Sequence, residues 1–229
     1  MAEQAETFDF IIVGSGGGST PAALLMQQQG KSALIVEKSD MIGGTSAYSG
    51  GVIWIPNNDL LNEAGGDDSH ERSREYLDGL IGEFTPSSTP EKRDAWIREG
   101  PEMIRFLQGL GMEFRHAQWP DYYDNRPGGS EEGRSLAAPL FDVNQLGEWG
   151  PKLAHNPLTS AMPVPSWESV WLFKASTTWR GKWVGFKMVM RLLFLNKLLG
   201  KTIRGAGNDP LSARPRHGVS PRAMAGLLR

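Results

Sequence analysis

The chain has 229 residues, of which 39% are hydrophobic and 22% are charged; it has no cysteine and a net charge of −2. This composition is typical of an ordinary soluble protein with one large or two small domains, and it excludes disulfides and thiolate chemistry. The N-terminal MAEQAETFDF lacks the features of a signal peptide, and no uncharged apolar run approaches the roughly 20 residues of a membrane-spanning helix. A cytoplasmic location is therefore predicted, with membrane association as an alternative.

Two short apolar segments near the N-terminus are predicted to be buried parallel strands. They cover residues 7 to 13 and 32 to 37, and both are rich in β-branched residues. The segment from Ser19 to Gly30 is predicted to be a helix, with Pro21 in its first turn and Gly30 as its stop. This order of elements indicates an α/β fold.

The remaining segments are predicted to be helical and then irregular. A helix with Ser69 as its cap is expected at residues 69 to 83. Residues 91 to 110 are expected to form one or two helices with a break near Gly100 and Pro101. Further along the chain we expect a turn-rich region at 119 to 150, an apolar helix at 186 to 199, and a linker or disordered segment at 205 to 222.

The first predicted strand runs directly into a glycine-rich turn at residues 14 to 19. Gly14 allows the chain to turn sharply, and Gly16 lets a pyrophosphate approach the backbone. Ser19 replaces the third glycine of the GxGxxG pattern, where a small residue still permits close packing of helix on strand. Glu37 ends the second strand and can accept hydrogen bonds from ribose hydroxyls, which predicts a dinucleotide site without a 2′-phosphate.

A second glycine cluster, GGTSAYSGG, occupies residues 43 to 51. A domain that binds NAD has no obvious need for a second glycine cluster just after Glu37, the acid expected to bind the ribose. Paired glycines around small hydroxyl residues suit a backbone pressed against a longer and bulkier cofactor. The cluster therefore favours FAD over NAD.

The two clusters and a later segment resemble a known flavoprotein family. FDFIIVGSGGGSTPAALL and EKSDMIGGTSAYSGGVIWIPNN resemble the fumarate reductases and 3-ketosteroid dehydrogenases, and PDYYDNRPGGSEEGRSL resembles the 3-ketosteroid Δ1-dehydrogenase branch. The resemblance is strong over residues 8 to 58, fair over 119 to 150 and faint beyond. It implies that FAD is bound by Gly14, Ser15, Gly16, Gly17, Gly18, Glu37, Lys38, Gly43, Gly44, Thr45, Ser46, Ser49, Gly50 and Gly51.

The same resemblance implies the chemistry of the site. Some relatives hold the flavin covalently through a histidine beside the second cluster, but here no histidine precedes His70, so noncovalent FAD is expected. Desaturating a ring beside a ketone needs a base, donors for the enolate oxygen and a hydride acceptor. The resemblance gives the tyrosine role to Tyr122 first and Tyr123 second, and a tyrosine acts as a base only when its pKa falls from about 10. The neighbouring Asp121 either orients a tyrosine hydroxyl or, the simpler reading, is an ordinary turn residue.

The implied architecture is an incomplete Rossmann-like FAD-binding domain with helical segments and the start of a second, substrate or cap domain. We expect the N-terminal part of the FAD-binding domain at 1–150, the start of the cap domain at 151–204, and a linker or disordered tail at 205–229. The implied partners are a steroid-like apolar substrate and an external electron acceptor. Because the family needs roughly twice this length or more, the chain is interpreted as the N-terminal part of such an enzyme or as a truncated relative. In either case it is expected to bind FAD weakly and to be inactive alone.

Other readings stay open at this point. One alternative is another fumarate-reductase-like flavoprotein, which reduces or oxidises a different activated C–C bond. A noncatalytic nucleotide-binding or membrane-surface module is an alternative of a different class. The basic end supports the latter: residues 180 to 229 hold eleven Lys or Arg and one acid, a balance of +10, against −12 for the rest. This basic end either attracts an anionic partner or lies against acidic protein.

Three further features have competing interpretations. The 186–199 helix either lies on a membrane surface or is buried with snorkelling bases. Four tryptophans either line a steroid pocket or pack in the core: Trp167, Trp171, Trp179 and Trp183. The four histidines lack metal-ligand spacing, and the bases lack a nucleic-acid-binding pattern, so neither a metal nor a nucleic-acid partner is predicted.

Overall fold

The computed structural model describes residues 6–83, 86–155, 163–200 and 203–204. Their strands are β1 (Phe10–Val13), β2 (Ala33–Val36), β3 (Val52–Trp54), β4 (Arg115–His116), β5 (Ser135–Ala137), β6 (Phe141–Asp142) and β7 (Ile203–Arg204). Their α-helices are α1 (Ser19–Gln28), α2 (Asp59–Glu63), α3 (His70–Ile81), α4 (Pro90–Gly109), α5 (Ser166–Phe173) and α6 (Trp179–Met190). Two 3₁₀ helices, Gly44–Tyr48 and Val143–Lys152, and a π-helical segment, Arg191–Leu198, complete the structure.

The chain divides into two units. One contains the described residues of Met1–Gly51, Leu140–Pro163 and Lys187–Arg229, and the other contains Val52–Pro139 and Val164–Phe186. The division into 1–150, 151–204 and 205–229 stays a prediction, and 205–229 lies outside the described residues. Among the described residues, no helix combines the length and apolar character needed to cross a membrane.

The first unit begins with the predicted strand–helix–strand order. β1 and β2 pair in parallel from Phe10 opposite Ala33 to Val13 opposite Val36, and α1 connects them as expected. The predicted burial of β1 is wrong, because Val13 is 85% exposed. In the described residues β1 pairs only with β2, so its other edge and much of its apolar surface face solvent.

The second unit contains an antiparallel sheet in the order β3-β5-β4, which the sequence did not predict. The α3 helix begins as predicted, since the Ser69 side chain accepts a hydrogen bond from the backbone N–H of Arg72. The α4 helix contradicts the predicted break, because it is 20 residues long and is continuous through Pro101. Gly100 and Pro101 are both buried, and a Cβ on Gly100 would lie 3.3 Å from the side chain of Ile55. Tertiary packing therefore maintains the helix despite the hydrogen bond lost at proline.

The apolar helix predicted at 186 to 199 starts earlier than expected. The α6 helix begins at Trp179 and is followed by the π-helical segment. Core packing was the wrong interpretation for Trp179 and Trp183, because their exposed fractions are 85% and 59%. The ring of Trp171 instead lies beneath the guanidinium of Arg180, with 4.2 Å between the Arg180 Cζ atom and the ring centre.

Candidate functional site

The glycine-rich turn connects β1 to α1 with an open surface. Gly14 has a φ of +90°, which an L side chain rarely adopts, and its N–H donates to the carbonyl of Val36 over 2.7 Å. A Cβ atom built on Gly16 or Gly18 would meet nothing within 4 Å. Because the first turn of α1 contains no acidic residue, the partial positive charge of its N-terminus is available to an anion.

Ser15 is the centre of the hydrogen bonds that hold this turn. Its side chain donates to Glu37 Oε2 over 2.6 Å and accepts from the N–H of Gly43 over 2.9 Å. Its own N–H also donates to Glu37 Oε2, over 2.9 Å. Ser15 is only 4% exposed, so one buried hydroxyl connects the glycine turn, Glu37 and the second cluster. We call these connected residues the Ser15 site.

The carboxylate of Glu37 is fixed beside the turn and stays ionised. Its other oxygen, Oε1, accepts the N–H of Ser39 over 3.0 Å. The hydrogen bond from the Ser15 side chain, with those from the N–H groups of Ser39 and Ser15, lowers the pKa of Glu37 to about 2. Because a carboxylate offers about four acceptor positions and three hydrogen bonds are described here, Glu37 keeps capacity for a ribose hydroxyl.

The second cluster lies directly against the first. The Ser46 side chain accepts from the N–H of Gly17 over 2.9 Å, and a Cβ on Gly44 would lie 3.7 Å from the Gly16 Cα atom. Gly43 has a structural explanation, since it is buried and a Cβ there would lie 2.7 Å from the Cβ of Ala47. The structure thus brings together two segments that are about 30 residues apart.

The other residues predicted to line the cofactor lie along the same segments. Lys38 is exposed just after Glu37, and Thr45 is exposed in the 3₁₀ helix. The Ser49 side chain donates to the carbonyl of Ser46 and accepts from the N–H of Gly51, while Gly50 lies exposed between them. The residues present fit a dinucleotide because Gly14, Gly16 and Gly18 leave the space that a pyrophosphate needs.

The two predicted tyrosines lie on an exposed turn of the second unit. Tyr122 is 90% exposed and Tyr123 is 49% exposed, and their rings meet edge to face with centres 5.1 Å apart. The N–H of Tyr123 donates to the hydroxyl of Tyr76 over 3.2 Å. Burial, the largest influence, raises the pKa of Tyr76 above its ordinary value, so this hydroxyl stays protonated and holds the turn.

The same turn is fixed by a buried arginine that sequence reasoning missed. Arg134 is fully buried, and its Nε and Nη2 atoms donate to the two oxygens of Asp68 over 2.8 and 2.7 Å. Its Nη1 atom donates to Asp121. The guanidinium also lies near the rings of Trp54 and Tyr76, at 5.7 and 5.2 Å from their centres. We call this group the Arg134 core.

Asp121 is therefore more than an ordinary turn residue, and that prediction was wrong. It is 5% exposed and accepts from Trp54 Nε1 over 2.8 Å, as well as from Arg134. Burial alone raises the pKa of the other carboxyl, Asp68, but the hydrogen bonds and charge of Arg134 outweigh burial and lower it overall. Asp68 and Asp121 are thus both paired with the guanidinium of Arg134.

The described residues contain no cluster of three or more His, Asp or Glu side chains arranged to hold a metal ion.

Residues 9–210 match the family described as FAD binding domain. The match includes both glycine clusters, Glu37 and the tyrosine turn. The chain belongs to this family. FAD is accordingly the cofactor, and the geometry of the Ser15 site fits a dinucleotide.

Individual relatives are similar over part of their length. A 3-oxosteroid 1-dehydrogenase of Mycobacterium tuberculosis is 38% identical over 144 residues, which cover 62% of this chain and 25% of the relative. A 4-oxocyclohexanecarboxylate 2-dehydrogenase of Sinomonas cyclohexanicum is 34% identical over 142 residues, which cover 61% of this chain and 24% of that relative. The chain thus spans about a quarter of the length of the curated relatives it matches.

A solved structure is similar over most of this chain. It is the crystal structure of 3-ketosteroid Δ1-dehydrogenase from Sterolibacterium denitrificans in complex with 1,4-androstadiene-3,17-dione. The TM-score is 0.77 at 30% identity, and the match covers 94% of this chain and 39% of the other. The described residues thus share the fold of part of this dehydrogenase.

Proposed function

We propose that this chain forms part of a FAD-dependent oxidoreductase that introduces a C1–C2 double bond into a 3-ketosteroid. The observation that carries the proposal is the Ser15 site, in which one buried hydroxyl joins the glycine turn, Glu37 and the second glycine cluster. The similarity to 3-oxosteroid 1-dehydrogenases supports the substrate class. An external electron acceptor then completes the cycle.

In this proposal FAD is held without a covalent bond. The backbone from Gly14 to Gly18 and the N-terminus of α1 receive the pyrophosphate, and Glu37 accepts hydrogen bonds from the ribose. Residues of the second cluster, with Lys38, complete the contact: Gly43, Gly44, Thr45, Ser46, Ser49, Gly50 and Gly51. When bound, FAD supplies the acceptor for a hydride.

The proposed role of the tyrosine turn is to act on the ketone end of the substrate. Tyr122, or else Tyr123, takes part through its Oη atom, either by donating a hydrogen bond to the ketone oxygen or by accepting the proton from the neighbouring carbon. Loss of that proton and of a hydride from the next carbon leaves one new C–C double bond. The Arg134 core fixes the turn from beneath, since Asp121 directly precedes Tyr122.

A smaller cyclic ketone is the second candidate substrate. The similarity to 4-oxocyclohexanecarboxylate 2-dehydrogenase favours it, because that relative is also named for a ring that carries an oxo group. Both candidates place an acidic C–H next to a ketone, so the same residues serve. The noncatalytic nucleotide-binding or membrane-surface module, which the sequence left as an alternative, has weaker support because the named relatives are dehydrogenases.

The cofactor part of the proposal is tested by titrating the 229-residue chain with FAD and measuring flavin fluorescence. We expect saturable binding that weakens in Glu37→Ala and persists in Glu63→Ala, a matched substitution of an exposed acid on α2. A chain that does not bind FAD, or a Glu37→Ala variant with unchanged affinity, contradicts the proposal. The chain alone is predicted to bind FAD weakly and to lack turnover.

The catalytic part is tested in a chimaera. Residues 8–150 of this chain replace the corresponding segment of the Mycobacterium tuberculosis relative, and dye reduction is measured with a 3-ketosteroid and with 4-oxocyclohexanecarboxylate. We expect steroid-dependent turnover that Tyr122→Phe or Tyr123→Phe abolishes while bound flavin is retained. A flavin-loaded chimaera that is unaffected by both substitutions removes the tyrosine turn from the mechanism.

A further inference from the structure

The α6 helix has one face packed against protein. Gly181 and Val184 are buried, and a Cβ on Gly181 would lie 2.5 Å from the carbonyl oxygens of Trp171 and Lys174. Gly185 approaches the side chain of Leu172. The small residues of α6 thus allow it to rest closely on α5 and the turn after it, which fixes the direction of the opposite face.

The opposite face of α6 exposes three large aromatic side chains. Trp179, Trp183 and Phe186 are 85%, 59% and 53% exposed, and their spacing of four and three residues places them on one side of the helix. The rings of Trp183 and Phe186 stack with centres 5.3 Å apart. These three residues, which we call the aromatic face, line an open pocket of about 790 Å³.

Positive charge surrounds the aromatic face. Arg180 and Lys182 are exposed and line the same pocket, and Lys182 Nζ lies 5.9 Å from the centre of the Trp179 ring. Between Trp179 and Leu199 the sequence contains five Lys or Arg and no acid. A patch that combines exposed aromatic rings with cations and lacks acids matches a surface that is apolar beneath and negatively charged above.

The chain after Phe186 has the same character. The larger apolar side chains that are exposed there are Val189, Met190, Leu193, Phe194, Leu198 and Leu199, with exposed fractions of 39% to 67%. Lys197 is also exposed. The alternation of apolar and basic residues therefore continues beyond the aromatic face rather than ending with it.

We propose that the aromatic face binds the surface of a bilayer that contains anionic lipids. Tryptophan rings favour the boundary between headgroups and acyl chains, and exposed bases are attracted to anionic headgroups. A second copy of this chain is a poorer partner, because the two faces would bring like charges together. The inference goes beyond the proposed function, since it requires neither FAD nor turnover.

The test is flotation of the full chain with lipid vesicles. Vesicles of equal parts phosphatidylcholine and phosphatidylglycerol are compared with vesicles of phosphatidylcholine alone. We expect binding to the anionic vesicles, a blue shift of tryptophan emission, and loss of binding as salt is raised. Absence of binding to the anionic vesicles, or equal binding to both kinds, overturns the proposal.

Variants locate the contact. The triple variant Trp179→Ser, Trp183→Ser, Phe186→Ser removes the aromatic face, and Trp96→Ser is its control because Trp96 is 48% exposed on α4. The double variant Arg180→Glu, Lys182→Glu is matched by Lys31→Glu, Arg98→Glu. We expect each α6 variant to lower the partition coefficient by about tenfold or more, and the controls to leave it unchanged.

Two further results decide the remaining cases. Circular dichroism tests whether each variant is folded. If the triple aromatic variant unfolds, the double charge variant still tests whether this face binds vesicles. Light scattering in the absence of lipid tests a second copy as the occupant. If the α6 variants lose self-association but still bind vesicles, the proposal is overturned and the face is an interface between copies of this chain.

Discussion

The Ser15 site and the Arg134 core are held by opposite means. At the Ser15 site, hydroxyl and backbone groups hold an open glycine turn, and the Glu37 carboxylate reaches solvent. In the Arg134 core, a fully buried cation is paired with two buried carboxylates and two aromatic rings. The first arrangement leaves space for a ligand, whereas the second fills its space with protein. Substitutions should therefore affect binding in one region and stability in the other.

The largest expected effect is on stability, in Arg134→Met. This change leaves the Asp68 and Asp121 carboxylates buried without their cation, which costs about 3–5 kcal/mol of the free energy of unfolding. Urea denaturation followed by tryptophan fluorescence measures it. The control Arg98→Met removes an exposed pair with Glu99 and should change stability by about 0.5 kcal/mol or less. Equal losses of stability in Arg134→Met and Arg98→Met would contradict the expected difference between a buried and an exposed arginine.

The next largest effect is expected in Gly133→Ala, again on stability. Gly133 has a φ of +76°, and a Cβ there would overlap the carbonyl oxygen of Trp119. Strain and overlap together should cost about 3 kcal/mol, measured by the same denaturation. A variant as stable as the parent would show that the turn before Arg134 rearranges freely, and the rigidity of the core would have to be reconsidered.

Gly16→Ala sharpens the comparison, because a Cβ atom on this glycine would meet nothing within 4 Å. Stability should change by about 0.5 kcal/mol or less, while the affinity for FAD should fall by about tenfold to a hundredfold because the methyl group would occupy the position proposed for the pyrophosphate. Isothermal titration with FAD and urea denaturation give the two numbers. A loss of stability without a change in affinity would mean that the turn serves the fold alone.

The smallest expected effect is in the pH dependence of stability. The pKa of Glu37 is lowered from 4.5 to about 2, so its contribution is present above pH 4.5 and disappears as the pH falls toward 2. The urea midpoint of the parent should therefore fall more steeply over that interval than the midpoint of Glu37→Gln. Parallel curves for the two proteins would show that the hydrogen bonds from Ser15 add nothing to stability.

The sequence predicts the parts of the molecule that depend on local pattern. The glycine turn, Glu37 and the Ser69 cap follow from residue type and spacing, and the structure confirms the strand–helix–strand order and the helix start. Ser15 was predicted to line the cofactor, but its hydrogen bond to Gly43 depends on how residues 28 positions apart meet. Local pattern does not contain that information.

The features that were missed depend on tertiary contacts. Arg134 stands in a polar segment and resembles any surface base, while Asp68 is 66 residues away. Pro101 has the signal of a helix break, yet packing against Ile55 keeps the helix continuous. Trp179 and Trp183 resemble core residues by type, and only the small residues behind them show which way they face.

The exposed first strand has a practical consequence. Phe10, Ile11 and Val13 present 49%, 59% and 85% of their surface to solvent, on a strand that pairs along one edge only among the described residues. Such an edge is a template for intermolecular β-pairing and aggregation. Dilute samples, and a lysine placed at Val13, should therefore improve the yield of monomeric material.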